Sequence, residues 1–496
     1  MKWEKISFAT IFIFVVVFFY TSFSLLPFLD DFFHFHLAEF HTITDILRFF
    51  NPLRDFFYRP LSTEIFYAIM RVFGIETGKI IIFCTFCIGL IFFYRSILYL
   101  VKERLYAMIT TFLYAIHFTH VFQLYYLGTY QEVALFAFLV SSFYFYIVQR
   151  KIVSVILFVC ALLSKETAIL YPFFLLTYEL SLFFIKKEKH KEEWNWRSFI
   201  PFTKSFFSQI LPFGIISGLF LIIYYLGVKN VSQLEIYTFH FSPRIILNNS
   251  IWYFLWSLGL PSFLPDYIYS FFAPPLPSFW IRTQTQEYQL YQGLLVSFYG
   301  LFSIVCCYVL YMIRDIKKIV LGGSLFFLSF LLFLLPTIGI IHRWMVRLTL
   351  PVLFTSLCIG WIIFYLLRSK KIVLRIIGIL LIVLYSLFNW YGVKVHEISS
   401  YYLLEDTIVR NLEVVLKKNK SSILQKGSLY FKDAIPGSWT GSEKIKNTLH
   451  GQDFISYYFV GKNIRVYYEF ETKHMPKDTF VIESNDLIRG IYTNKK

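Results

Sequence analysis

The feature that most constrains this chain is a succession of about eleven apolar runs separated by short polar connections. A helix that crosses a bilayer needs about 20 mostly apolar residues, and runs that reach or approach that length lie at 7–27, 78–100, 106–124, 130–149, 152–163, 168–185, 207–228, 292–313, 319–341, 345–367 and 372–390. Only 16% of the residues are charged, against about 25% in ordinary soluble chains. The reading is an α-helical polytopic membrane protein, with a membrane domain over 1–390 and a tail over 391–496. A net charge of +16 would suggest nucleic acid in a soluble chain, but here the basic residues are scattered between apolar runs, so a nucleic-acid partner is not expected. The first run follows Lys2 and Lys5 and ends in Pro27-Phe28-Leu29-Asp30-Asp31 with no small-residue cleavage site, so it reads as a retained span and not as a signal peptide. All the cysteines, including the Cys84/Cys87 pair, fall in apolar runs, where thiols act as small hydrophobes.

Orientation follows from lysine and arginine, which collect in short cytoplasmic loops. With the N-terminus inside, Lys102 and Arg104, Arg150 and Lys151, Lys186 to Lys204, Arg314 to Lys318, and Arg368 to Lys371 all fall on the inner side. Reading 152–185 as a single span would put Lys186-Lys187-Glu188-Lys189-His190-Lys191 outside, so it is read as two spans, the first of them short. Twelve residues at 1.5 Å each cover about 18 Å of a hydrocarbon layer about 30 Å thick. Ser164-Lys165-Glu166 is therefore expected within membrane depth, where ionisable groups face a partner or a watery cavity. The bland alternative is that Lys165 snorkels and pairs with Glu166.

Two outer loops are expected, 28–77 and 229–291. The first should hold helices near 34–49 and from Pro60 to Phe73, since proline suits a first helical turn. In the second, Ile251-Trp252-Tyr253-Phe254-Leu255-Trp256 reads as an interfacial or re-entrant helix. The tail, placed outside by the span count, predicts a helix over 400–418 and strands near 427–432, 455–459, 463–470 and 479–483, a small extracytoplasmic α/β domain.

Polar residues that need explaining gather on the outer side: Asp30, Asp31, His34, His36, Glu39, His41, Arg54, Arg59, Glu64, Lys165, Glu166, His342, Arg343 and Arg347. Adjacent carboxylates at a membrane boundary push one pKa up and leave the other ionised, which provides a proton acceptor. The same acids with His34 and His36 leave a divalent cation open as an alternative, but they suit no one metal well, and no metal ligand or other cofactor is assigned.

Taken in order, Asp30-Asp31 opening the first outer loop, Tyr58-Arg59-Pro60-Leu61, His117 and His120 near the end of the third span, and Leu162-Leu163-Ser164-Lys165-Glu166 before a Pro172-containing span resemble the GT-C glycosyltransferases. Within that fold the chain is most similar to the transmembrane O-mannosyltransferases that carry tetratricopeptide repeats and to bacterial and archaeal relatives of protein O-mannosyltransferases. The resemblance covers 1–185, and a short tail without repeats stands where the eukaryotic members carry a repeat domain. It implies transfer of a sugar, mannose or another hexose, from a polyprenyl-phosphate donor to an acceptor hydroxyl of a protein, lipid or glycan, on the outer face of a prokaryotic plasma membrane or the lumenal face of the endoplasmic reticulum. In that scheme Asp30 matches the general base and Asp31 tunes it. Arg59 and Lys165 are the expected holders of the donor phosphate, with Arg343 and Arg347, four apart on one expected helical face, in reserve, and His34, His36, Glu166 and His342 in support. The competing classes are a transporter or flippase of lipid-linked sugars, disfavoured because no internal repeat is visible, and a non-catalytic assembly protein.

Overall fold

The computed structural model describes residues 2–52, 57–190, 196–228, 238–312, 316–399, 401–433, 441–472 and 474–489. Arg54, and the charged stretch around Glu192, lie outside the described residues.

Apolar runs in lipid must satisfy their own backbone polar groups, so they fold as helices. In chain order they are α1 (Lys2–Phe18), α2 (Asp30–Leu37), α3 (Ile43–Arg48), α4 (Phe66–Phe73), α5 (Ile75–Val101), α6 (Arg104–Ala115), α7 (Val121–Leu124), α8 (Tyr130–Ile147), α9 (Lys151–Leu162), α10 (Tyr171–His190) and α11 (Trp196–Val228). They continue with α12 (Pro243–Ser257), α13 (Pro277–Thr283), α14 (Gln286–Met312), α15 (Ile316–Ile338), α16 (Pro351–Leu367) and α17 (Ile372–Ser399). Among the described residues six helical stretches are long and apolar enough to cross a membrane: Ile75–Val101, Leu127–Ile147, Glu166–Phe184, Ser208–Gly227, Tyr288–Met312 and Ile372–Ile398. A seventh is added if α6 and Phe118–Leu124, bent by 48°, form one span. The other expected spans coincide with shorter apolar stretches, Phe8–Phe18, Lys151–Leu162, Phe327–Ile338 and Pro351–Leu367. The chain is a helical integral membrane protein.

Small residues allow close helix approaches. Gly89 of α5 faces Phe136 of α8, and Gly360 of α16 faces Thr110 of α6; a Cβ at either would overlap its neighbour. Pro60 opens a wide turn over Leu61–Ile65 that runs into α4, as its place before a helix suggested. The helix expected at 34–49 is instead broken into α2 and α3, because Thr42 caps α3: its hydroxyl accepts from Asp45 N–H at 3.3 Å while the Asp45 carboxylate accepts from Thr42 N–H at 2.9 Å. Within 229–291 the helix α12 covers the Trp-rich stretch with 15 residues, about 22 Å of rise and too short to span. Asn249 anchors α12 to the end of α15 through the carbonyls of Ile338 and Ile340, at 2.8 and 2.9 Å.

The expected boundary at 390/391 falls inside α17, which continues without a break to Ser399. Beyond it come α18 (Tyr402–Lys418), α19 (Lys420–Lys426), β1 (Ser428–Lys432), α20 (Ser442–Leu449), α21 (Asp453–Tyr458), β2 (Arg465–Tyr468), β3 (Phe480–Glu483) and α22 (Ser484–Ile488). The sheet is parallel in the order β2-β1-β3, with Leu429 opposite Val466 on one side and Phe480 on the other. The strand expected at 455–459 is the helix α21. A short apolar run does not distinguish strand from helix by periodicity, and here Phe454 sets its ring 4.8 Å from Phe32 of α2. That contact, with Phe35 against Tyr457 at 4.8 Å, docks the tail on α2.

Candidate functional site

α2 starts at the acidic pair, so both carboxylates stand where a helix N-terminus favours negative charge. The residue before them, Leu29, has φ +55°, a region that bulky residues avoid. Its N–H donates to the Thr448 carbonyl of the tail at 2.7 Å. Asp31 is fully buried and locked, accepting from the Tyr67 hydroxyl at 2.5 Å and from Phe28 N–H at 3.0 Å. Burial lifts its carboxyl to about 7 against the pull of these two bonds. Asp30 is the accessible member: its side chain is 64% exposed, its N–H donates to the Tyr126 hydroxyl at 3.1 Å, and its carboxylate lies 3.9 Å from Nε2 of His450. Partial desolvation raises its pKa, and His450 opposes that rise. A base must reach its substrate, and of the two only Asp30 is open to do so.

His34 is buried one turn on, its ring centroid 5.1 Å from that of Tyr67. Burial, with Arg59 nearby, drops its imidazole to about 3, so it is neutral. His36 turns away to the exposed surface, 3.9 Å from Glu39, which Arg71 also holds at 3.0 Å.

The cationic residues collect in a second place. A cavity of about 360 Å³ is lined by Arg59, Lys165 and Arg347, by Glu132 and Glu166, and by an apolar wall that includes Phe220, Phe333 and Leu350. Residues 58–66 are held against the turn between α9 and α10: Leu61 N–H donates to the Leu163 carbonyl at 3.1 Å, and the Ser62 hydroxyl to the Ser164 carbonyl at 2.5 Å. That brings Tyr58-Arg59-Pro60 beside Ser164-Lys165-Glu166, two motifs about a hundred residues apart in sequence. The pairing is not Lys165 with Glu166. Arg59 grips Glu166 with both Nε and Nη2, at 2.8 and 2.7 Å, and Lys165 pairs with Glu132 from the first turn of α8. The lining side chains thus carry three positive and two negative charges, a net +1. Arg347 donates to the His342 carbonyl at 2.9 Å and the Tyr253 hydroxyl at 3.3 Å, and among the described residues it has no carboxylate partner.

Arg343 and Arg347 do not share a helical face, a correction to the expected arrangement. α16 begins only at Pro351, Arg347 sits in a single 3-10 turn over Met345–Leu348, and Arg343 precedes it outside any helix. Arg343 donates to the Tyr269 carbonyl at 3.3 Å, stands 5.9 Å from the Trp252 ring, and lines a different cavity of about 510 Å³ with His342 and Asp266. His117 and His120 are buried at the α6–α7 bend, and each has a ring nitrogen against a main-chain carbonyl, Ser257 at 3.2 Å and Tyr114 at 2.8 Å. Neither the acidic pair nor these histidines line the cationic cavity. Among the described residues no group of three His, Cys, Asp or Glu side chains is placed to hold a metal.

Sequence reasoning missed Glu132, Tyr67, Tyr126, His450 and Asp453. Glu132 carried a signal, because an acid within the apolar run 130–149 needs a cation nearby. The tyrosines carried none, being two among 36. No protein-family model matches the chain, and no curated protein matches it in sequence.

Proposed function

We propose that this chain is a membrane glycosyltransferase of the GT-C type, which moves mannose or another hexose from a polyprenyl-phosphate donor to an acceptor hydroxyl on the outer or lumenal face. The observation that carries this reading is the cavity of about 360 Å³, whose net charge of +1 sits against an apolar wall. A polyprenyl-phosphate sugar is a phosphodiester with one negative charge and a hydrocarbon chain, and the lining complements both. As the glycosidic bond breaks, the leaving phosphate gains charge, which fixed cations stabilise more strongly than they stabilise the donor. Among the described residues Arg347 has no acid to give up, so it is the first contact for the phosphate. Arg59 and Lys165, each held by a glutamate, set the field around it.

The bond that forms joins the acceptor oxygen to the anomeric carbon. The bond that breaks joins that carbon to the phosphate oxygen, which keeps the electron pair, and the acceptor proton passes to Asp30.

The experiment is incubation of membranes with labelled polyprenyl-phosphate hexoses, with label read in protein, lipid and glycan fractions. Asp30→Asn should lower transfer about 10²–10⁴-fold, the share a general base supplies, while the protein still inserts and binds donor. A transporter of lipid-linked sugars would tolerate that change, so transfer near the unaltered rate would remove Asp30 from the chemistry.

A further inference from the structure

The tail reaches the acidic pair through one short segment. α20 ends at Leu449, and His450 and Gly451 follow with φ +49° and +65°. Two left-handed residues in succession turn the chain back on itself, and the His450 ring lies 5.0 Å from the ring of Phe33 on α2. Asp453 holds that ring: its carboxylate meets Nδ1 at 2.8 Å, leaving Nε2 directed at Asp30, 3.9 Å away. That distance suits an ion pair and is too long for a hydrogen bond. The segment is anchored on both sides, by the bond from Leu29 N–H to the Thr448 carbonyl at 2.7 Å and by the Thr448 hydroxyl on Glu405 of α18. Among the described residues the charged and titratable groups that act on His450 are Asp30 and neutral His34 on α2 and Asp453 on α21.

We infer that His450, aligned by Asp453, is a positioning residue for Asp30: its imidazolium orients the Asp30 carboxylate and keeps it ionised, so the tail completes the site. The inference rests on the transferase reading for what Asp30 does, but the contact itself does not. The arrangement has the logic of a carboxylate–imidazole pair that orients a third group. Asp30 is exposed and His450 half-buried beside it, so an acceptor can reach the carboxylate. An opposite charge at this range lowers a carboxyl pKa by about 1 unit or more. Removing it raises the Asp30 pKa, and the acidic limb of the pH–rate profile then moves to higher pH.

The test compares pH profiles of sugar transfer for the full chain with His450→Asn, His450→Lys and Asp453→Asn. Asparagine tolerates the left-handed backbone, so the first variant removes the ring without straining the turn. The acidic limb should move up by about 1 unit in His450→Asn, move up less in Asp453→Asn, and return toward the original in His450→Lys, with donor KM unchanged. A merely structural His450 would lower the rate equally at every pH, and an unmoved limb overturns the inference. A second measurement does not depend on activity: in protein labelled with ¹⁵N-histidine, the His450 signal, identified by its loss in His450→Asn, should titrate at lower pH in Asp30→Asn. No such shift overturns the inference. A shift in a protein that transfers no sugar supports the Asp30–His450 couple and removes the transferase reading alone.

Discussion

Lys165→Met separates the structural from the donor-binding role of the cavity cations. The Lys165 and Glu132 side chains are only 11% and 4% exposed, so removing the ammonium leaves a carboxylate stranded inside the bundle. Breaking such a pair costs about 3–5 kcal/mol. By contrast Arg368–Glu103, with side chains 65% and 37% exposed, is worth about 0–1 kcal/mol. The cavity charge changes as well. With Lys165 gone, two cations face two carboxylates and the net falls from +1 to 0; adding Glu132→Gln restores +1 and removes the stranded acid. The expected outcome is a single variant that unfolds early on heating in detergent and binds donor poorly, and a double variant that regains both stability and affinity. Adding Glu166→Gln in place of Glu132→Gln should not rescue, because Glu132 loses its ammonium partner and Arg59 loses the carboxylate it grips. The assays are the fraction of monodisperse protein after heating and retention of a labelled polyprenyl-phosphate hexose. A stable Lys165→Met/Glu132→Gln protein that still fails to bind donor would refute the reasoning and place the Lys165 ammonium on the phosphate itself.

Arg347→Met strands no carboxylate, since its partners are a carbonyl and a tyrosine hydroxyl; it should leave the melting behaviour close to the unaltered protein while lowering transfer about 10²–10³-fold, and undiminished transfer would shift the phosphate to another residue. Topology is tested in a cysteine-free background: a cysteine at exposed Lys462 in the tail should react with a membrane-impermeant reagent in intact cells, and one at exposed Lys370 should not. The two are separated by the 28 residues of α17, about 42 Å of helix, and labelling at Lys370 would invert the orientation.

Element positions were legible where apolar length decides them. The run at 152–163 is the clearest case: read as a short span that ends within membrane depth, it is a 12-residue helix that ends at Leu162, and the chain turns at Lys165. Partner choice was not legible. Spacing within one helix reports only neighbours three or four apart, whereas Arg59 meets Glu166 107 residues away and Lys165 meets Glu132 33 residues away. Adjacent Lys165 and Glu166 instead face different partners, because the chain is extended at Lys165 and enters a 3-10 turn at Glu166. Two misreadings had signals that pointed the other way. Pro351 fits the first turn of a helix, which starts α16 after both Arg343 and Arg347, and Thr42 three residues before Asp45 is a capping pattern that interrupts 34–49.

What the sequence presents as a two-residue acidic motif is, in the fold, a joint between the membrane part and the tail. A bulky residue at φ +55° costs about 1–3 kcal/mol and persists only where surrounding contacts hold it there. At Leu29 those contacts come from two parts of the molecule. Phe28 N–H is fixed by Asp31, which Tyr67 of α4 fixes in turn, and Leu29 N–H is fixed by the Thr448 carbonyl of the tail. Just upstream, Leu26 N–H donates to Asp406 of α18 at 2.8 Å, and Arg410 of the same helix reaches the Ser24 carbonyl. The direction in which Asp30 leaves the first helix is therefore set by α18 and α20 as much as by α1. At that joint the tail also brings His450, held by Asp453, to within 3.9 Å of the Asp30 carboxylate.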